Sequence, residues 1–125
     1  TAWTFGAEAD LLAHLVATGE KTATSSAYQL YETENEPLPK AGDYSVILDA
    51  QNNAVCVIQM QRVYVTAFHD VSVEHAFKEG EGDKSLAYWR KVHKEFFTAC
   101  LEEAHLKFSD DMKVVCEEFK VVYQK

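Results

Sequence analysis

The chain has 125 residues, 47% of them hydrophobic and 26% charged, with two Trp, six Tyr and seven Phe. That is the length of one domain, residues 1–125, and the balance of an ordinary globular protein, which excludes a disordered or collagen-like chain. Twelve lysines and arginines against 20 aspartates and glutamates give a formal charge of −8, which argues against a broad basic grip on long nucleic acid and favours a small ligand or a few nucleotides.

Residues 7–18 read as an amphipathic helix. Leu11, Leu12, Leu15 and Val16 form its apolar stripe, Glu8 and Asp10 suit its N-terminal end, and Gly19 suits the left-handed stop. The segment GEKTATSS that follows is small and polar. A short helix over 27–33 is expected next, capped by Ser25 or Ser26 and packed by Tyr28, Leu30 and Tyr31. Residues 34–42, with Pro37, Pro39 and Gly42, read as a loop.

Strands are expected over 44–48 and 54–60, around a turn at Asn52 and Asn53, with 62–66 continuing or following the second. Residues 73–78 suit one or two helical turns, and 79–84 (EGEGDK) an acidic, glycine-interrupted loop. The strongest helix is 85–104, where Leu86, Trp89, Val92, Phe96, Cys100 and Ala104 recur at helical spacing and Phe97 and Leu101 widen the stripe. Residues 113–123 close the pattern as a strand whose apolar run is broken by Glu117 and Glu118. The order of elements predicts an α+β fold, with a curved, mostly antiparallel sheet and helices packed against it.

Cys56, Cys100 and Cys116 are odd in number, widely spaced and far from any histidine at zinc-site spacing, so small buried hydrophobes in a reducing compartment are expected. No metal and no cofactor are expected. Nothing near Thr1 reads as a signal peptide, and no apolar run approaches the roughly 20 residues that span a bilayer. No membrane association and a cytoplasmic location are the expectation.

GEKTAT after the first helix, PLPKAGDYSVILD before the hairpin, VCVIQ within it, EGEGDKSLAYWRKVHKEFF and the closing VVCEEFKVVY together resemble the ASCH domain family over almost the whole chain. The resemblance implies a PUA-like β-barrel with flanking helices and a cleft beside it. It also implies a nucleobase-related role: RNA binding, removal of the acetyl group from acetylcytidine, or ribonuclease action. The lysine, threonine and glutamate of the compact, deacetylating members have counterparts at Lys21, Thr24 and Glu81. The chain departs from that compact pattern in a longer insertion after KTAT, a long helix after EGEGDK, and Ser26 where an arginine is common.

Burial disfavours an ammonium's charge, so a desolvated Lys21 is suited to take the proton of the Thr24 hydroxyl and make Thr24 a nucleophile toward an acyl carbon. Backbone N–H groups at residues 25–27, around Ser25 and Ser26, are expected at a helix start that can hold an oxyanion. Glu81 is suited to protonate a departing amine or to activate water. Trp89 and His93, four apart on the long helix, share a face and suit stacking on a base and hydrogen bonding to it; a core tryptophan with a satisfied histidine fits the same spacing. Two functions stay open: hydrolysis of an acylated pyrimidine nucleoside, and a non-catalytic nucleoside- or RNA-binding module. Cleavage of short single-stranded RNA is a third use of a lysine and a hydroxyl.

Overall fold

The computed structural model describes residues 2–6 and 8–124; Ala7, at the expected start of the first helix, lies outside them. The elements run β1 (Ala2–Thr4), α1 (Ala9–Thr18), β2 (Ala23–Ala27), α2 (Tyr28–Thr33), β3 (Tyr44–Leu48), β4 (Ala54–Ala67), a 3-10 turn (Phe68–Asp70), α3 (Val73–Glu79), α4 (Leu86–Glu103) and β5 (Lys113–Gln124). The five strands form one curled sheet in the order β1-β3-β4-β5-β2, a half-barrel flanked by four helices. This is the expected α+β architecture. All neighbours are antiparallel except β1 and β3, which pair in parallel through Trp3 and Ile47. β1 went unforeseen because three residues are too few to display a period.

The sheet buries an apolar cluster on each face. Ala13 and Val16 of α1 pack with Ile47, Cys56, Ile58, Met60 and Phe119. Phe68, Val71, Ala76, Trp89, Phe97 and Leu101 pack on Val114 and Cys116. On β5, alternate side chains therefore serve different faces, as the two-residue period of a strand requires. No described helix is long and apolar enough to cross a membrane.

Two local expectations are corrected. The segment after Lys21 is not a loop leading to a helix cap. Residues 23–27 are a strand at the sheet edge, paired with residues 114–118 of β5. The following helix is preceded by Ala27 and has no side-chain cap, because the Ser25 and Ser26 hydroxyls are spent elsewhere. Backbone groups of residues 25–27 thus belong to an extended strand, not to a helix start, and the expected oxyanion site has no such foundation. The second correction concerns α4. Its fully buried row is Trp89, His93, Phe97 and Leu101. Of the expected stripe, Trp89, Phe97 and Leu101 are in that row, whereas Leu86, Val92, Phe96 and Cys100, expected to do the packing, are only partly buried. Spacings of three and four residues give two adjacent rows on one helix, and the row tilted toward the sheet is the one that packs.

Candidate functional site

Gly80 sets the geometry of the site. Its φ is +71°, and a Cβ built there would stand 2.2 Å from the Glu20 carbonyl oxygen. Only glycine allows both the left-handed turn and that approach. The end of α3 thereby lies against the segment before β2, and Thr22 N donates to the Lys78 carbonyl at 2.7 Å. The two carboxylates flanking Gly80 then close around one lysine.

Lys21 is 1% exposed. Its Nζ lies 2.7 Å from Glu81 Oε2, 3.3 Å from Glu79 Oε1 and 3.4 Å from the Glu79 carbonyl oxygen. An ammonium has three N–H donors, and three acceptors meet it here. Two carboxylates on one Nζ are the surroundings of a donor rather than of a base.

Glu79 is the hub behind this contact. Its Oε2 accepts from Ser25 Oγ at 2.5 Å, Trp89 Nε1 at 2.6 Å and His75 Nε2 at 2.8 Å. Its Oε1 faces Lys21 and, at 3.4 Å, His93 Nε2. Burial pushes the Glu79 carboxyl up, but the Lys21 ammonium and hydrogen bonds from His75 and His93 outweigh it and hold the group well below the ordinary range. His75 Nδ1 is buried with no partner among the described residues, so the ring proton belongs on Nε2, where Glu79 accepts it. His93 donates Nδ1–H to the Trp89 carbonyl at 2.9 Å.

A cavity of about 800 Å³ opens beside this cluster. Both edges of the half-barrel line it, through Trp3 and Thr4 on β1 and Thr24, Ser25 and Ser26 on β2; Phe5, Tyr31, Val92 and Phe96 add apolar wall. Lys21, Glu79, Glu81, His93 and Glu117 supply its polar floor. Glu117 is pushed up to about 7, first by burial and then by the negative charge of Glu79, with Lys21 opposing.

The three residues expected to do chemistry therefore line one cavity. Lys21 and Glu81 touch. Thr24 sits on the neighbouring wall, and no hydrogen bond joins it to Lys21 among the described residues, since Lys21 is held by the glutamates. Ser25 lines the cavity with its hydroxyl committed to Glu79 and to His75 Nε2 at 2.8 Å. The Ser26 hydroxyl is 2.9 Å from the Tyr31 hydroxyl. His93 reaches the cavity. Trp89 does not: its ring is stacked on His93, with centroids 4.3 Å apart, and its other neighbour is Phe68 at 5.2 Å. It serves the site through its N–H on Glu79.

Glu79, His75 and Glu117 were missed in the sequence. His75 and Glu79 are four apart, the spacing of a shared helix face. Glu117 is in phase with Val115 and Phe119 on its strand. Both signals were present, but each is also the ordinary pattern of solvated charge. Among the described residues, no group of three or more His, Cys, Asp or Glu is arranged to hold a metal ion.

Three comparisons bear on kinship. The ASCH domain family model matches residues 1–123. A crystal structure of an ASCH domain from Lactobacillus crispatus is 36% identical with a TM-score of 0.94, covering 98% of this chain and 79% of that one. A protein from Enterococcus faecalis is 38% identical with a TM-score of 0.91, covering 98% of this chain and 76% of that one. A mutant ASCH protein from Zymomonas mobilis shares the fold at 12% identity and a TM-score of 0.51, covering 88% of this chain and 63% of that one. No match was found among curated proteins.

Proposed function

This chain belongs to the ASCH domain family, and on that premise we propose that its cleft takes a nucleobase as a free nucleoside and hydrolyses an acyl amide on it, of the acetylcytidine type. The observation that carries this reading is the 2.7 Å contact of Lys21 with Glu81 on the floor of a cavity that Thr24 also lines. An aromatic and aliphatic wall beside a few convergent polar groups suits a flat, polar ring.

Charge favours the nucleoside over RNA. Among the described residues, six acidic side chains line the cavity (Glu8, Glu36, Asp43, Glu79, Glu81 and Glu117), against Lys21 as the one lysine or arginine. Such a lining repels a phosphate chain and tolerates a neutral ligand rich in N–H donors. The same argument weighs against ribonuclease action. The proposed setting is the cytoplasm, with the 125 residues acting as one domain.

In the proposed reaction the caged lysine acts as a donor. Thr24 Oγ1 gives its proton to the Glu81 carboxylate and bonds to the acyl carbon. The carbonyl electron pair moves to oxygen, where the Lys21 ammonium stabilises the charge. The C–N bond then breaks, its electron pair goes to the amine, and Glu81 returns the proton there. Water, activated by Glu81, releases the acid and restores Thr24. Incubation of the purified protein with acetylcytidine and with short single-stranded RNA, followed by mass spectrometry, tests the reading. Cytidine and acetate are the expected products. Intact acetylcytidine, with or without cleaved RNA, would sink it.

A further inference from the structure

Glu117 is the buried carboxyl of the cavity floor that nothing engages. The residue is 7% exposed. Among the described residues its side chain takes neither a hydrogen bond nor an ion pair, although Glu79 takes several and Glu81 accepts one from Lys21. It stands opposite Thr24 in the β2–β5 ladder, and its register partner on β4 is Val63. Along its own strand the side chains in phase with it are Val115 and Phe119. Thr24, opposite it, carries a hydroxyl, but among the described residues no hydrogen bond joins the two, and a largely buried carboxyl without a protein partner is costly to keep. The open side is the cavity, and that is where the donors of a ligand would reach it.

We infer that Glu117 reads the ligand, pairing with the edge of an aminopyrimidine where a ring nitrogen stands beside the exocyclic amine. This rests on the base-cleft reading above and names the residue that would select the base. A carboxyl group fits that edge with two parallel hydrogen bonds. One oxygen accepts the amine N–H. The other oxygen and the ring nitrogen share a single proton, held by either atom.

That proton is at hand near neutrality, because Glu117 titrates at about 7. Its charge acts together with those of Glu79 from α3 and Lys21 from the segment before β2, and bears on Tyr31 from α2 and, on the other face of its own strand, on the Cys116 thiol. Its register partner on β4 is Val63, which does not titrate, and Thr24 stands opposite it on β2. His93 of α4 and Glu81 line the same cavity. Tyr31 and Cys116 are raised above their ordinary values and stay neutral across the range in question.

Titration calorimetry with cytidine at pH 6 and pH 8 tests the assignment. A carboxyl titrating at about 7 that must bring one proton to the complex costs the wild type about tenfold in affinity between those values. At pH 8, heats in two buffers of different ionisation enthalpy should report about one proton taken up per cytidine bound. The variant Glu117→Gln keeps one acceptor and one donor but carries no titrating proton, so it should bind cytidine equally at both pH values. Wild-type affinity that does not change with pH, or a pH dependence that survives in Glu117→Gln, would overturn the assignment. If that variant fails to fold, the wild-type proton uptake decides alone. The two readings fail separately. Absence of cytidine binding at either pH removes the base cleft and Glu117 with it, whereas acetylcytidine hydrolysis with pH-independent cytidine binding removes Glu117 only.

Discussion

Gly80 and Glu20 are packed so closely that an alanine Cβ at position 80 would lie 2.2 Å from the Glu20 carbonyl oxygen, at a φ of +71°. Gly80→Ala therefore combines a clash with a left-handed backbone. It should cost at least about 1–3 kcal/mol of stability in urea denaturation. It should also push Glu79 and Glu81 away from Lys21, so turnover should fall in whatever fraction remains folded.

Glu79 and Glu117 should impose opposite pH dependences. Glu79 is held well below its ordinary 4.5, so its stabilisation is present above that value and is lost as pH falls below it. Glu117 is raised from 4.5 to about 7; its native state holds a proton that the unfolded chain gives up, so stability is lost as pH rises from 4.5 through 7. The span corresponds to roughly 1–3 kcal/mol after allowance for its contact with the cavity. Denaturation curves between pH 3 and 9 should show a maximum near pH 5. Glu117→Gln should flatten the alkaline limb and leave the acid limb unchanged.

Phe96 and Phe97 are adjacent but not equivalent. Phe97 is buried in the cluster under β5, and Phe97→Ala should cost about 3–5 kcal/mol. Phe96 is partly buried and lines the cavity, with its ring 3.0 Å from where a Gly6 Cβ would lie. Phe96→Ala should cost less, about 1–2 kcal/mol, and weaken ligand binding. Equal losses of stability would contradict the assigned packing.

Thr24 and Lys21 should separate in their effects. No hydrogen bond involves the Thr24 hydroxyl among the described residues, so Thr24→Ala should keep its melting temperature while acetylcytidine turnover falls at least about a thousandfold. Lys21→Ala strands Glu79 as a buried carboxylate and should cost about 3–5 kcal/mol. Turnover that persists in Thr24→Ala would remove Thr24 as nucleophile.

Much of the fold was legible because long elements repeat their signal. β4, β5 and α4 each span enough residues to show period and termini, and Gly19 and the Asn52–Asn53 turn mark boundaries. β1 is too short for this. β2 is a run of small hydroxyl residues that carries no strand signal of its own, and its partner β5 makes it a strand. Within the site, Lys21, Thr24 and Glu81 were legible only through resemblance, since nothing local forces them together. Glu79 was read as the first residue of an acidic loop. Its burial depends on Lys21, Ser25 and Trp89, which lie far from it in sequence or on another helix, and a linear pattern cannot display that dependence.

The pairing of β2 with β5 also governs when the protein acquires its cleft. Residues 23–27 find their partners in residues 114–118, so during ribosomal synthesis one wall of the cavity waits until nearly all of this sequence has emerged. Pairing of such distant segments is slow relative to local structure. An unpaired strand edge in the meantime invites wrong partners. The composition ATSSA is small and hydroxylated with no large apolar side chain, so the waiting edge offers such partners its backbone but little apolar surface.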